Sequence, residues 1–551
     1  MSNAAIYFHP EAYTTSLPKV MGRNAAGESF LQGLLAHGRM KEFWIQVESD
    51  HHAKEFQKIA RGALRNEPVQ SITKARLSKL SEPGAVFHPG PGIGGAARER
   101  ALFGQAQWSL CGITHTLSSA RAMDAITDLI TAPVHPWDAV ICTSTAARQN
   151  VLQFIQSQAD YLKQRLGIQK IVLPQLPVIP LGIHSAAFTH TDSQKAEARA
   201  ALGVSPSTLV VLFMGRLSFH AKAHPLAMYQ ALEAAAESTG KDVLLIECGR
   251  HPNQPIAKAF EEAAHHVFRR VRARTLDSST PENRRTAWAA ADLFCSLSEN
   301  IQETFGLTPL EAMAAGLPVV VSDWDGYRDT VRHGLDGFCI PTYMPQAGLG
   351  KDLALRHALE IDSYDMYCGH TCSLIAVDIP AATQAFVQLL NSPSLRKKMG
   401  DSGKERAAKL YDWKTVIPQY EALWHELGCL RREHAQNLPQ DPQPWPARMD
   451  PFSAFAGHAT RSISPNTILA LTDENAEVSL EKINAFHQLA MVNFAKQVFP
   501  TTDEIAAVLN AARSGPKSAA ELVRSVPSPR RGIIFRSLAW LLKMGRLQVR
   551  S

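Results

Sequence analysis

Two acidic residues eight positions apart, Glu303 and Glu311, bracket the segment Glu-Thr-Phe-Gly-Leu-Thr-Pro-Leu-Glu. Carboxylates so spaced are not placed to share one proton. Each can instead accept from its own pair of hydroxyl groups, one at either end of an extended ligand. Between them, Phe305-Gly306-Leu307 stands just before helix-forming residues, Pro309 to Ala315, so its backbone N–H groups can face an anion at a helix start. Gly306 lets the backbone approach such a group closely. A second set lies upstream, where Gly215-Arg216 closes an apolar run and Lys222 stands just before Pro225-Leu226. Guanidinium offers a planar fork of donors to phosphate oxygens, and ammonium a mobile point charge. Taken together, the two sets suit a ligand with phosphate in its middle and hydroxyl-rich groups at both ends, the form of a nucleotide sugar. The alternative is an ordinary α/β unit with solvated charges.

The elements that must position these residues follow from apolar patterning. Thr208 to Met214 is a nearly continuous apolar run, as expected of a central parallel strand. A helix is expected from Leu226 to Ala236, a strand from Asp242 to Ile246, a strand within His265 to Arg274, and a helix from Pro281 to Ala291. The apolar run ending at Cys295, a turn-like segment, the helix stopped by Gly316-Leu317-Pro318, and the β-branched Val319-Val320-Val321 then read as strand, loop, helix, strand. The first half repeats the theme. Ala4 to Phe8 is a strand, Tyr13 to Arg23 a loop, and Phe30 to Leu35 a helix, a Rossmann-like opening in which Gly22 and Gly27 do not match the dinucleotide spacing. Trp44 to Val47 is a second strand, and the glycine- and proline-rich Pro83 to Gly95 is a loop. The strand from Trp108 ends at Thr114, which puts His115 at a strand's carboxyl end, where open α/β sheets bind ligands. A packing or capping histidine is the alternative. Trp137 to Ser144 is a further strand, followed by a helix to Asp160, and Leu176 to His184 closes the first sheet.

Glu303 to Glu311, continued by Ala-Met-Ala-Ala-Gly-Leu-Pro-Val-Val, closely resembles the motif of retaining GT-B glycosyltransferases of the group 1, or family 4, type. The resemblance covers residues 1–429. It implies two Rossmann-like domains facing across a cleft, an acceptor-side domain over 1–184 and a donor domain over 185–429 whose last helix crosses back, with Trp413 as a packing anchor. It implies that Glu303 binds donor-sugar hydroxyls, that Glu311 binds ribose, and that the backbone of Phe305, Gly306 and Leu307 contacts sugar and diphosphate. By the same resemblance Gly215, Arg216 and Lys222 hold the diphosphate, His115 reaches the donor sugar, and Gly27 and Arg23 face the cleft from the first loop; a turn glycine and a solvated arginine are the alternative there. No cofactor and no metal is implied; the donor is a nucleotide diphosphate sugar. The acceptor is left open among a glycan, a lipid-linked acceptor and a small molecule. Where relatives often carry a glycine pair, this chain has Asp323-Trp-Asp-Gly-Tyr-Arg-Asp329, whose bulk is expected to narrow the ligands accepted. Two rivals stand beside transfer: a non-catalytic nucleotide-sugar-binding or scaffold protein, and a GT-B sugar epimerase or phosphorylase.

The 551 residues are too many for one core. A formal charge of +6 on a chain this size does not argue for nucleic acid. The first residues lack a basic region followed by an apolar core, and the eight scattered cysteines fit a reducing compartment. These features point to a cytoplasmic protein, or one peripheral to the inner membrane face. Cys368-Gly-His370-Thr-Cys372 is isolated, without the second pair a zinc site needs. Residues 430–470 read as a linker. Residues 471–551 read as a small, mainly helical, winged-helix-like domain for protein docking or dimerisation. Its seven basic and no acidic residues from Leu522 onward could also meet an anionic surface.

Overall fold

The computed structural model of the chain describes residues 4–15, 22–438, 444–473 and 475–550. These fall into two compact units, residues 1–445 and 446–551.

The first unit holds two six-stranded sheets. In the first, β1 (Ala5–Tyr7), β2 (Phe43–Gln46), β3 (Val69–Ile72), β4 (Ala85–Phe87), β5 (Ser109–Ile113) and β6 (Ala139–Ile141) take the order β3-β2-β1-β4-β5-β6. The second contains β7 (Leu209–Met214), β8 (Val243–Gly249), β9 (Arg272–Asp277), β10 (Leu293–Ser296), β11 (Val319–Ser322) and β12 (Gly337–Ile340), in the order β12-β11-β10-β7-β8-β9. Every pairing in both sheets is parallel. The central strands are buried along their whole length, which is why β7 reads Leu-Val-Val-Leu-Phe-Met without alternation. This is the GT-B arrangement of two Rossmann domains. Each sheet reverses its order once, between β1 and β4 and between β7 and β10. At such a point the helices leave to opposite faces and a crevice opens beyond the strands' carboxyl ends.

Two passages tie the halves together. Ile183 N–H donates to Tyr411 O (2.7 Å), and Trp413 N–H donates back to Ile183 O (3.1 Å). The helix Trp413–His434 then packs along the first-half helix Gly22–His37. Trp413 is fully buried, and its indole N–H donates to Ser29 Oγ (2.8 Å). A Cβ on either Gly33 or Gly182 would collide with the Trp413 ring, so both positions need glycine for close approach. Farther along, the Arg431 guanidinium bonds the Gly84 carbonyl, and Arg39 N–H donates to Glu421 Oε1 (2.8 Å).

Four local expectations in this unit are corrected. Pro83 to Gly95, expected as a loop, holds β4 and runs into the helix Gly94–Ala101, its wholly buried Ala-Val-Phe being too short an apolar run to stand out among glycines and prolines. Helix Gly22–His37 starts before Phe30, so Arg23 belongs to a helix and not to the loop expected over 13–23, and Gly27 lies inside that helix rather than ahead of it; residues 16–21 lie outside the described set. His265 to Val267 end a helix, and β9 begins only at Arg272. Phe268 breaks the run by packing on Tyr229 (centroids 4.8 Å apart). As an edge strand β9 leaves its arginines exposed. The helix expected to end at Asp160 runs on to Leu166, where Gly167 caps it in a left-handed conformation.

The second unit forms a three-stranded antiparallel sheet, Lys517–Ser518, Ile468–Leu471 and Leu547–Val549, with Ile468–Leu471 in the middle. Helices Ala476–His487, Thr502–Ala512, Ala519–Val523 and Arg531–Lys543 cover it around Leu469, Ile483, Leu509, Leu522 and Leu538. The chain breaks its helical course at Leu489, which is extended, between Ala476–His487 and Ala490–Asn493. Folding back there lets His487 and Phe499 both pack on Trp540 (5.3 and 4.5 Å).

Replacing Trp413 with alanine is expected to destabilise the first unit by about 3–5 kcal/mol, the usual range for emptying a buried aromatic site. Urea unfolding followed by fluorescence of the remaining tryptophans measures it; an unchanged midpoint would contradict the wedge between Gly33 and Gly182.

Candidate active site

The two charged sets found in the sequence converge at one switch point. Gly215-Arg216 follows β7, and the loop carrying Glu303 to Gly306 follows its neighbour β10. The Lys222 ammonium is ion-paired with the Glu303 carboxylate, both largely removed from solvent. Burial works to raise the Glu303 carboxyl, but Lys222 and the amides of Phe305 and Thr304 outweigh it and hold it below the ordinary range. Arg216 donates to Ala221 O (2.9 Å) and Gln302 Oε1 (3.0 Å), which bends the guanidinium over the loop before Lys222.

Gly306 caps the helix Leu307–Ala314 at a φ of 86°, in the left-handed region that favours glycine. A Cβ there would overlap the ring of Tyr327, and one on Gly326 would meet the Phe305 backbone. The two loops therefore interlock. Leu307 is the first helical residue, and Phe305 is buried beside Tyr411 (6.3 Å). Glu311 lies one turn into the helix. Burial pushes its carboxyl up to about 7, with Arg284 opposing.

Of the two aromatic residues in the loop Asp323–Asp329, Tyr327 turns inward and Trp324 stays half-exposed. Tyr327 is buried beneath Gly306 with its hydroxyl 3.0 Å from Ser296 Oγ, and Trp324 donates to Asn300 O (3.1 Å). Asp325 takes a left-handed backbone with a φ of 46°, which aspartate tolerates better than most residues. Burial first, then Glu303, pushes its carboxyl well above the ordinary value. It accepts from Ser144 Oγ (3.3 Å), while the Asp329 carboxylate accepts from Thr145 N–H (2.6 Å). Both acids thus sit at the amino end of helix Thr145–Leu166, where negative charge is favoured. Thr143 Oγ1 donates to Thr304 O (3.4 Å) and Thr116 Oγ1 lies 2.9 Å from Tyr364 Oη, so the carboxyl edge of the first sheet faces the second domain.

His115 lies on that edge, two residues past β5. Burial, helped by Arg23, lowers its imidazole to about 4, which leaves it neutral at pH 7. Gly27 does not project into the cleft from a loop. It lies within the helix, where a Cβ would overlap the Ala12 carbonyl, so packing requires the glycine. Among the described residues no group of three or more His, Cys, Asp or Glu is arranged to hold a metal. Cys368 and Cys372 are buried free thiols.

Sequence reasoning missed the residues that template the Lys222 loop. Ser298 Oγ donates to Lys222 O (3.1 Å), Glu299 Oε1 accepts from His224 N–H (3.0 Å), and Asn300 Nδ2 donates to His220 O (3.1 Å). Three consecutive polar residues straight after an apolar strand were the available signal. Ser144 and Tyr364, which join the domains, had none, because both contacts span far-separated parts of the chain.

Comparison with known proteins now bears on this geometry. Residues 194–353 match the family Glycosyl transferases group 1. That stretch of the chain is similar to these enzymes. The D-inositol 3-phosphate glycosyltransferase of Jonesia denitrificans is 32% identical over 193 residues, covering 33% of this chain and 45% of that protein. The protein of the same name from Xylanimonas cellulosilytica is 33% identical over 209 residues, covering 37% of this chain and 47% of that protein. The chain thus spans about half the length of these curated relatives. The crystal structure of a glycosyltransferase from Rickettsia africae superposes with a TM-score of 0.51 at 12% identity, covering 78% of this chain and 99% of that one. That likeness shows the fold.

Burial pushes the Glu299 carboxyl from 4.5 up to about 8. The folded state therefore holds its proton more tightly than the unfolded chain does. The resulting stabilisation is fully present below the ordinary carboxyl value and is lost as pH rises toward about 8. Glu299→Gln keeps the acceptor for His224 N–H without the titration. Its unfolding midpoint is expected to fall less than the wild-type midpoint across that window, and parallel pH profiles would contradict the assignment.

Proposed function

We propose that the protein is a retaining glycosyltransferase that moves a sugar from a nucleotide diphosphate sugar to a hydroxyl acceptor. The observation that carries this reading is the meeting of Arg216 and Lys222 with Glu303 and Gly306 at the switch point between β7 and β10. In this reading Arg216 and Lys222 bind the donor diphosphate and stabilise the charge that develops on it as the glycosidic bond breaks. The Gly306 and Leu307 amides, at the start of a helix, add to that stabilisation. Glu303 and the neutral His115 take the hydroxyls of the transferred sugar. Glu311 takes the ribose hydroxyls, its burial favouring a hydrogen-bonded pair over a solvated charge. Gly215 brings the backbone alongside the phosphates.

Lys222 has two partners in this scheme. Before donor binding it neutralises Glu303. With donor bound it turns to the diphosphate, and Glu303 exchanges the ammonium for sugar hydroxyls. Closure of the two domains excludes water and favours transfer over hydrolysis. Delivery of the acceptor on the face the diphosphate leaves gives retention without a second carboxylate acting as a glycosidase-type base. Arg216 and Lys222 supply the positive charge a metal would otherwise bring.

Titration calorimetry against UDP-, GDP- and ADP-sugars tests the reading. One donor is expected to bind selectively. A charged hydrogen bond contributes about 1.5–3 kcal/mol, so Arg216→Ala combined with Lys222→Ala is expected to weaken that donor at least ~100-fold. Binding of no nucleotide sugar, or binding indifferent to the double substitution, would overturn it.

A further inference from the structure

The first sheet has its own switch point, between β1 and β4, and what gathers there is unlike the donor site. Tyr7 ends β1, His9 follows it, Glu48 lies just past β2, His52 opens the helix after β2, and His88 follows β4. Because the sheet is parallel, these positions share the edge that faces the second domain through Thr143, Ser144 and Thr116. The groups form one cluster. Tyr7 Oη donates to Glu48 Oε1 (2.7 Å), the Tyr7 and His88 rings stack (5.2 Å), and His9 meets His52 edge-on (4.8 Å).

Two ring nitrogens in this cluster, Nδ1 of His52 and Nε2 of His88, are buried without a hydrogen-bond partner. A buried polar atom left unpaired costs free energy, and such atoms in a folded protein call for a ligand or a structural reason. Burial lowers the His88 imidazole to about 4, so at pH 7 it is neutral, with one nitrogen to donate and one to accept. Glu48 brings an ionised carboxylate to the rim. The Tyr7 hydroxyl, assisted by His9, His52 and Lys74, holds that carboxyl below its usual value against the opposing effect of burial. Lys74, the nearby cation, is already paired with Glu99 (2.7 Å). Paired acceptors and donors, a stacked aromatic floor and an ionised carboxylate at the rim suit hydroxyl groups on a ring. They oppose a phosphate, which would meet the Glu48 carboxylate, while the nearby Lys74 ammonium is already engaged by Glu99.

We infer that the cluster of Tyr7, His9, Glu48, His52 and His88 binds the acceptor, and that the acceptor is a hydroxyl-rich ring carrying no negative charge, such as a neutral sugar, a cyclitol or an amino sugar. The inference rests on the transferase reading and deepens it. The His88 and His52 nitrogens hydrogen-bond ring hydroxyls, the Tyr7–His88 stack underlies the ring, and Glu48 excludes anions while admitting a neutral or ammonium-bearing partner.

Saturation-transfer NMR on the full chain tests it, with glucose, myo-inositol, glucosamine and glucose 6-phosphate as probes and the nucleoside diphosphate found by calorimetry present throughout. Glucose, myo-inositol or glucosamine is expected to bind at least ~10-fold more tightly than glucose 6-phosphate, tenfold being about 1.4 kcal/mol. Glu48→Gln is expected to narrow that ratio, and His88→Phe, which keeps the stack, to weaken the uncharged ring by a similar factor. Donor affinity in both variants is expected to stay within about twofold of wild type, which separates loss of the acceptor site from misfolding. Preferential binding of glucose 6-phosphate, binding of none of the four, or ring binding unaffected by His88→Phe would overturn the inference. Failure of the donor titration itself would instead overturn the transferase reading.

Discussion

A parallel sheet can leave a crevice at its carboxyl edge only where consecutive connections depart to opposite faces, and this constraint governs the first unit. It occurs twice, between β1 and β4 and between β7 and β10. Every strong candidate for chemistry lies at one of these two points or beside it. The point in the second sheet gathers Arg216, Lys222, Glu303 and Gly306. The other gathers Tyr7, His9 and His88, with Glu48 and His52 from the next strand. The division in chemistry is plain: cations and helix-start amides beside Glu303 on one side, a tyrosine, three imidazoles and Glu48 on the other.

Around the crevice of the second sheet, the loops hold one another rather than relying on the strands alone. Ser298, Glu299 and Asn300 hold the backbone before and after Lys222. Gly306 and Gly326 let their loops interlock through Tyr327 and Phe305. Asp325 and Asp329 then carry this assembly to the amino end of a first-domain helix. A shift between domains is therefore transmitted directly to the loop beside Glu303. The Trp413 wedge lies where the chain crosses between domains a second time, two residues beyond Tyr411, whose hydroxyl donates to Asp329 O (3.1 Å). One region is apolar and closely packed, the other polar and made of few bonds, so the second is the one suited to open and close.

Much of this was legible in the residues. β7 and β10 announced themselves as unbroken apolar runs, because a strand buried on both faces has no solvent side to encode. The spacing of Glu303 and Glu311 around a glycine placed both carboxylates on one loop-helix unit. The departures have physical causes as well. The helix break at Leu489 depends on Trp540, more than fifty residues away in sequence, and local propensity cannot register a partner so distant. Gly27 read as a loop glycine because small residues mark turns as well as close packing, and only the Ala12 carbonyl above it distinguishes the two. The aromatic residues of Asp323–Asp329 suggested bulk in the cleft, whereas Tyr327 turns inward under Gly306.

By itself the sequence determined the alternation of strands and helices in the two sheets and the chemical types that meet around Lys222 and Glu303, since each is written in contiguous segments of periodic or motif-bearing residues. Tertiary structure alone decided which of these segments become neighbours. It paired Lys222 with Glu303, brought Ser144 to Asp325, and stacked His88 on Tyr7. It also set the burial that moves Glu299, Glu311 and His115 away from their ordinary titration. Burial and pairing are properties of what surrounds a side chain in space, and the order of strands in a sheet, which fixes those surroundings, is not the order of strands in the chain.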